Sequence, residues 1–208
     1  MKFLDDWSNI DRMTKNDTRQ NIITIGADLI SIHGFGSTGL NKILSEAQVP
    51  KGSFYHYFKS KNDFGLAVIE TYAEDYEARM DETLANETLE PVDRLRSYLR
   101  RSVEDLKSCD FSKGCLIGNL GQEMASQSDL FRERLDDIFS DWEQRIARCL
   151  KAAQDAQQIQ QCIDTEQMGA FILSGWQGAL LRAKVQRSML PLLRFEEMIL
   201  KQLGAVDQ

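Results

Sequence analysis

Proline is scarce in this 208-residue chain, with only 3, at positions 50, 91 and 191, so long helices can run without interruption. Histidine is scarcer still: His33 and His56 are the whole complement. The 4 cysteines, at 109, 115, 149 and 162, have neither C-x-x-C spacing nor histidine partners, which argues against both a zinc site and a disulfide framework. No metal and no cofactor is expected. Strand-like alternation is missing, and so is any run of 18 apolar residues, which removes a membrane-spanning helix from consideration. Met1 to Met13 holds three aspartates where a secretory leader would carry positive charge and an apolar run, so a cytoplasmic location is expected.

What is present is 3.6-residue periodicity from end to end, the mark of an all-α chain of about nine helices. Asp17 or Thr18 can cap a first helix carrying Ile22, Ile25, Leu29 and Ile30, which Gly34 stops. Ser37 or Thr38 can cap a second, with Leu40, Ile43, Leu44 and Ala47 inward. After the turn Gln48-Val49-Pro50 comes a short helix, and Ser60 with Asp63 then forms a serine-x-x-acid start for a long helix reaching Leu84. Pro91 opens the next helix. Gly114 to Ala125 is glycine-rich for a helix, each interior glycine costing about 1 kcal/mol against alanine, so close packing or a bend is expected there. Asp129 starts the longest helix, Asp164 or Thr165 caps another, and Pro191 begins the last. Small residues Gly175, Gly178 and Ala179, with apolar stripes on these late helices, fit either the chain's own core or a helical homodimer.

Net charge is −7, yet it is unevenly spread. Between residues 12 and 61 seven cations (Arg12, Lys15, Arg19, Lys42, Lys51, Lys59, Lys61) face Asp17, Asp28 and Glu46, a local +4 that leaves −11 for the remainder. One basic end on an acidic body suggests one end that meets phosphate. Within it, Val49 to Lys61 crowds Phe54, Tyr55, His56, Tyr57 and Phe58 between lysines. Phe54 and Phe58 stand four apart and share a face, while Lys51, Tyr55 and His56 lie on or near the other. A short helix with an anchored apolar side and a basic, aromatic polar side is what major-groove reading requires. The same pattern would also suit a small buried helix with solvated lysines.

Gly34-Phe35, Thr38, Ile43, Ala47, Val49, Gly52, Tyr55, Tyr57, Phe58, Ser60 and Lys61 fall in the order and spacing of a known signature: over residues 18 to 61 the chain resembles the TetR-type repressors. It departs at Gln48, where glycine is usual, and at Leu44, where alanine is usual. The resemblance implies an N-terminal arm over 1–17, a helix-turn-helix domain over 18–61 and an effector-binding and dimerisation domain over 62–208. It implies that Thr38, Tyr57 and Lys61 meet phosphates and that Lys51, Ser53, Tyr55 and His56 face base edges of double-stranded operator DNA. It further implies a homodimer on a palindromic operator, with the helix after Lys61 shifting when effector binds.

Lys113 to Leu120, together with Arg182 to Ser188, is similar to the branch of that family that includes the NemR and AcuR repressors, whose effectors are reactive electrophiles, oxidants or small unsaturated acids. The chemistry can be argued from the residues as well. A thiol at Cys115 beside a helix start, with Lys113 two residues away and Lys184 across the fold, would have its thiolate favoured. Its sulfenic acid could condense with a nearby nitrogen or thiol. The competing arrangement is a non-covalent pocket lined by Tyr98, Phe111, Met124, Trp142, Phe171 and Trp176, with Asn119, Gln122, Arg145 or Lys184 orienting a polar group. Two other function classes compete with the regulator: an enzyme using Cys115 as nucleophile, which lacks a paired base in its half of the chain, and a helical protein-binding adaptor.

Overall fold

Helix boundaries fall where a residue supplies a capping oxygen or relaxes the backbone. A computed structural model describes residues 15–205, and among these it contains nine α-helices and no strand. In chain order they are α1 Lys15–His33, α2 Leu40–Glu46, α3 Phe54–Tyr57, α4 Lys61–Leu84, α5 Pro91–Ser108, α6 Leu116–Met124, α7 Asp129–Asp155, α8 Thr165–Gln186 and α9 Leu190–Leu203. A 3₁₀ turn over Lys51–Ser53 leads into α3. The arm expected over 1–17, including Arg12, lies almost wholly outside the described residues. The chain is already helical at Lys15, so Asp17 and Thr18 belong to α1 and are not its caps; Asp17 sits in the first turn, where the helix end favours negative charge.

A second expected cap also moves. Gly39 is the N-cap of α2 and has no side chain with which to cap it, while the Thr38 hydroxyl donates to Gly34 O at 2.6 Å. Elsewhere Ser60 accepts from Asp63 N and Asp164 from Glu166 and Gln167 N, where spacing puts them, and Ser128, one residue before the expected start at Asp129, accepts from Phe131 N. Pro91 and Pro191 occupy the first turns of α5 and α9.

In the body, α7 packs against α8 and α5, and α9 closes over α8. Trp142 and Trp176 are fully buried there, Trp142 against Tyr76 at 4.4 Å between ring centroids and Trp176 against Phe195 at 5.7 Å. Helix α4 touches α1 at one end and α5 and α7 beyond, so it joins the N-terminal helices to the body. Gly65 makes that junction possible. A Cβ there would lie 2.6 Å from Phe35 and 2.7 Å from Phe131, whose rings meet over the helix with centroids 5.3 Å apart.

The turn between α2 and the reading segment is closed by Gln48 N donating to Ser45 O at 3.1 Å and Val49 N donating to Leu44 O at 2.9 Å. Gln48 holds φ 55, a left-handed conformation that glycine enters freely and a side chain enters at a cost of about 1 kcal/mol. The departure from the signature therefore changes the residue and keeps the backbone. Leu44 is buried and supplies the carbonyl that Val49 meets. Gln48→Gly is expected to raise the unfolding free energy by about 0.5 kcal/mol, the strain relieved less the entropy glycine adds to the unfolded chain, as read from urea midpoints at constant slope. A lower midpoint would mean that the glutamine side chain makes a compensating contact.

Candidate nucleic-acid interface and effector site

The reading segment has too few residues to hold a helix by its own hydrogen bonds, so side-chain burial must hold it. Phe54 and Phe58 are 1% and 2% exposed and pack with Phe64 of α4 at centroid distances of 5.9 and 5.1 Å. Arg19 of α1 lies over the Phe58 ring at 5.3 Å. With that side fixed, Lys51, Tyr55 and His56 stand exposed, Tyr55 at 68%, while Ser53 and Tyr57 are half-buried. The donors and ring edges available to a groove are thus gathered on one short turn, with Lys59 exposed beside it and Lys42 exposed on α2.

Two residues expected at phosphates are occupied otherwise. Thr38 is 1% exposed and its hydroxyl is spent on Gly34 O, so its side chain has no path to DNA in this arrangement. Lys61 turns inward: its ammonium donates to Phe35 O at 2.7 Å and Gly36 O at 3.4 Å and sits 4.7 Å from the Phe35 ring centroid. Desolvation lowers its pKa, opposed in part by Glu123. Both residues hold the loop between α1 and α2, which the sequence pattern registers as signature without revealing the partner.

Cys115 is the N-cap of α6, and its Sγ accepts from Gly118 N at 3.4 Å. It lies on the wall of a cavity of about 290 Å³ bounded by Tyr72 and Tyr76 of α4, Ser102 of α5, Cys109 just past the end of α5, and Leu180 of α8. Burial pushes the thiol pKa up, and hydrogen bonding from Gly118, Gln177, Ile117 and Tyr72 opposes that only in part. The thiolate is therefore not favoured at rest, contrary to expectation. Lys113 explains part of the difference, since its ammonium is paired with Asp28 at 2.6 Å. Lys184 does come to this site: its Cδ would lie 3.9 Å from a Cβ on Gly114. Burial also raises Tyr76 to about 12, with its hydroxyl 3.1 Å from that of Tyr98, so both phenols are neutral hydrogen-bonding groups across the physiological range.

The remaining expected effector residues separate. Asn119 stays close, donating to Ser31 O at 3.4 Å. Gln122 faces outward on α6, a helix whose other side is buried, and does not reach the cavity. Trp142 and Trp176 fill the core and do not line the cavity, Trp142 lying behind the Tyr76 ring that does. Arg145 is a structural cation between α4 and α7, paired with Asp141 at 2.6 Å, Asp81 at 2.5 Å and Glu77 at 3.2 Å. Burial alone would lower its pKa; the Asp81 and Asp141 carboxylates outweigh that and raise it. Tyr72, Tyr76, Arg79 and Gln177 were missed. The only signals were a Tyr pair at i, i+4 and one amide in an otherwise apolar helix face, both of which read as ordinary packing. Of the two glycines in α6, Gly118 marks a close approach, since a Cβ there would lie 2.5 Å from the Gln177 side chain that reaches toward the thiol, whereas Gly121 has room for one.

Among the described residues no group of three or more His, Cys, Asp or Glu could hold a metal ion, and no helix is long and apolar enough to cross a membrane. Residues 22–68 match the family of bacterial regulatory proteins, tetR family, and residues 91–199 match the tetracyclin repressor-like, C-terminal domain. The transcriptional regulator AcuR of Cereibacter sphaeroides is 39% identical over 85% of this chain and 80% of that protein. The HTH-type transcriptional repressor NemR of Escherichia coli (strain K12) is 31% identical over 88% of this chain and 92% of that protein. Among solved structures, a regulatory protein TetR from Rhodobacter sphaeroides superposes with a TM-score of 0.85 at 37% identity, covering 88% of this chain and 96% of that one. Reduced E. coli NemR follows with 0.82 at 28%, covering 92% and 100%. A reading turn anchored on α4, a helical body behind it and these matches across both parts lead to one conclusion: the chain belongs to the TetR family of transcriptional regulators.

Proposed function

We propose that the protein is a homodimeric, cytoplasmic repressor without enzymatic activity of its own, that its two reading turns enter successive major grooves of a palindromic operator, and that chemistry at Cys115 releases it. The observation that carries the sensor part is the position of Cys115, at once on the wall of a cavity and at the cap of α6. Attack of its thiolate on the β-carbon of an α,β-unsaturated carbonyl compound forms a C–S bond, opens the C=C bond and leaves the α-carbon to take a proton. The new substituent occupies the cavity and displaces the sulfur from Gly118 N. A small unsaturated acid held in the same cavity near Lys184, without bond formation, is the second route, supported by the volume and by the polar wall of Tyr72, Tyr76 and Ser102. Either must distinguish two conformations by a few kcal/mol. An enzymatic use of the thiol is disfavoured by the histidines, since His33 lies 3.0 Å from Lys42 and His56 is on the reading turn.

Dimerisation is assigned to α8 and α9. Phe171, Gly178, Leu181 and Val185 recur on one exposed face of α8, with Phe171 58% and Val185 67% exposed, and Leu190, Leu193 and Met198 are exposed on α9. Gly175 is already filled by Phe195 and Ala179 is buried, so of the three small residues it is Gly178 that leaves open space outward. An apolar face of this extent on a charged chain marks an interface.

Tyr55→Ala and His56→Ala should each weaken operator binding by about 10- to 100-fold, the worth of a base contact, without changing the sedimentation of the free protein. Loss of dimer in either variant would instead point to a packing role. The double variant Phe171→Glu with Val185→Glu should sediment as monomer at concentrations where wild type is dimeric. Because the thiol pKa is raised and only the thiolate attacks, modification of Cys115 should be slow at neutral pH and accelerate about tenfold per unit through its ordinary value of 9.0. A rate that levels off near pH 7 would contradict the burial argument. With electrophile present, Cys115→Ser should hold operator that wild type releases; release by both would favour the non-covalent route.

A further inference from the structure

The loop that joins α1 to α2 is gripped from two sides. Glu123, in the last turn of α6, accepts hydrogen bonds from Phe35 N at 2.7 Å and Gly36 N at 2.6 Å, one on each carboxylate oxygen. Lys61, at the start of α4, donates to the carbonyl oxygens of the same two residues. The two peptide units are thus held by a carboxylate from one domain and an ammonium from the other end of the junction. Room for the carboxylate comes from glycine: a Cβ at Gly34 or Gly36 would lie 2.9 Å from a Glu123 oxygen. Upstream on the same strip, Asn119 reaches Ser31 O and Lys113 pairs with Asp28, so residues 113, 119 and 123 meet 28, 31 and 35 to 36 in step.

We infer that Glu123 is a positioning residue for operator reading. It touches no DNA. A carboxylate that receives two charge-assisted N–H bonds fixes both distance and angle, whereas one apolar contact fixes neither. The loop so fixed carries α2 and the reading turn on its far side, and the helix that presents Glu123 is capped at its other end by Cys115. Displacement of the sulfur from the α6 cap would shift Glu123 against the loop and change the spacing of the two reading turns. This last step rests on the Cys115 reading; the positioning role does not.

The test uses full-length protein and a duplex selected by wild type from a randomised library. Glu123→Gln replaces one acceptor oxygen with an NH₂ that faces an N–H, and should weaken binding of that duplex about tenfold. Dimerisation and the salt dependence should remain unchanged, because phosphate contacts are untouched. Amide exchange at Phe35 and Gly36 should speed up while the α7 and α8 amides hold. The ratio of affinities before and after Cys115 modification should fall toward one, whereas a mere loss of stability would lower both affinities and preserve the ratio. Gly36→Ala, which crowds the carboxylate from the loop side, should reproduce these effects and carries the test if Glu123→Gln fails to fold. Wild-type affinity within twofold in both variants, with unchanged exchange at the two amides, overturns the proposal. If the wild-type ratio is itself one, the Cys115 reading fails, and the affinity loss in Glu123→Gln still decides the positioning role.

Discussion

Aromatic burial beneath the reading turn is the constraint on which the rest depends. Helix α3 spans only Phe54–Tyr57, far below the length at which backbone hydrogen bonds sustain a helix. Its shape is set by Phe54 and Phe58 against Phe64, three rings contributed by one short segment and the first turn of α4. Each fully buried phenylalanine contributes about 2 to 3 kcal/mol toward offsetting the entropy of ordering the turn. Because Phe64 belongs to α4, the reading turn is packed directly on that helix. The very next residue of α4, Gly65, faces Phe35 and Phe131, so the same helix clamps the reading end to the body.

The surroundings of Cys115 are built the opposite way. Around Cys115 the structure keeps a cavity, raises the thiol and phenol pKa values, and brings glycine and a neutral amide close to the sulfur. A resting thiol in such surroundings is protected by its own protonation. If the proposed chemistry at Cys115 operates, its selectivity would rest on what can enter and stay beside Tyr72 and Tyr76, more than on intrinsic nucleophilicity. Charge is handled separately, by cross-helix ion pairs such as Arg134 with Glu70 and Arg145 with its three carboxylates, which brace α4 against α7 without entering the cavity.

Periodicity, caps and punctuation made the nine helices of the described residues legible: Ser60 and Asp164 accept the bonds their spacing implies, and Gly34, Pro91 and Pro191 stand at ends. The amphipathic split of Phe54 and Phe58 from Tyr55 and His56 was equally readable, because i and i+4 must share a face on any helix. Thr38 and Lys61 were legible as residues of a pattern and illegible in role. A hydroxyl or an ammonium satisfies a backbone carbonyl as readily as a phosphate, and which it meets depends on a loop 4 residues away for one and 26 and 25 away for the other.

Sequence by itself determined what is local: the helical class, the element order, the anchored reading turn and the basic N-terminal end, since each follows from spacing within one or two turns. Tertiary structure alone decided which cations are free and which are braces, that Gln122, Trp142, Trp176 and Arg145 lie away from the cavity while Tyr72, Tyr76 and Gln177 approach the thiol, and that Glu123 grips residues 87 and 88 positions away. The physical reason is desolvation and distance. A side chain's charge state and partner are set by groups that only folding brings within about 3 Å, and no period in the sequence encodes them.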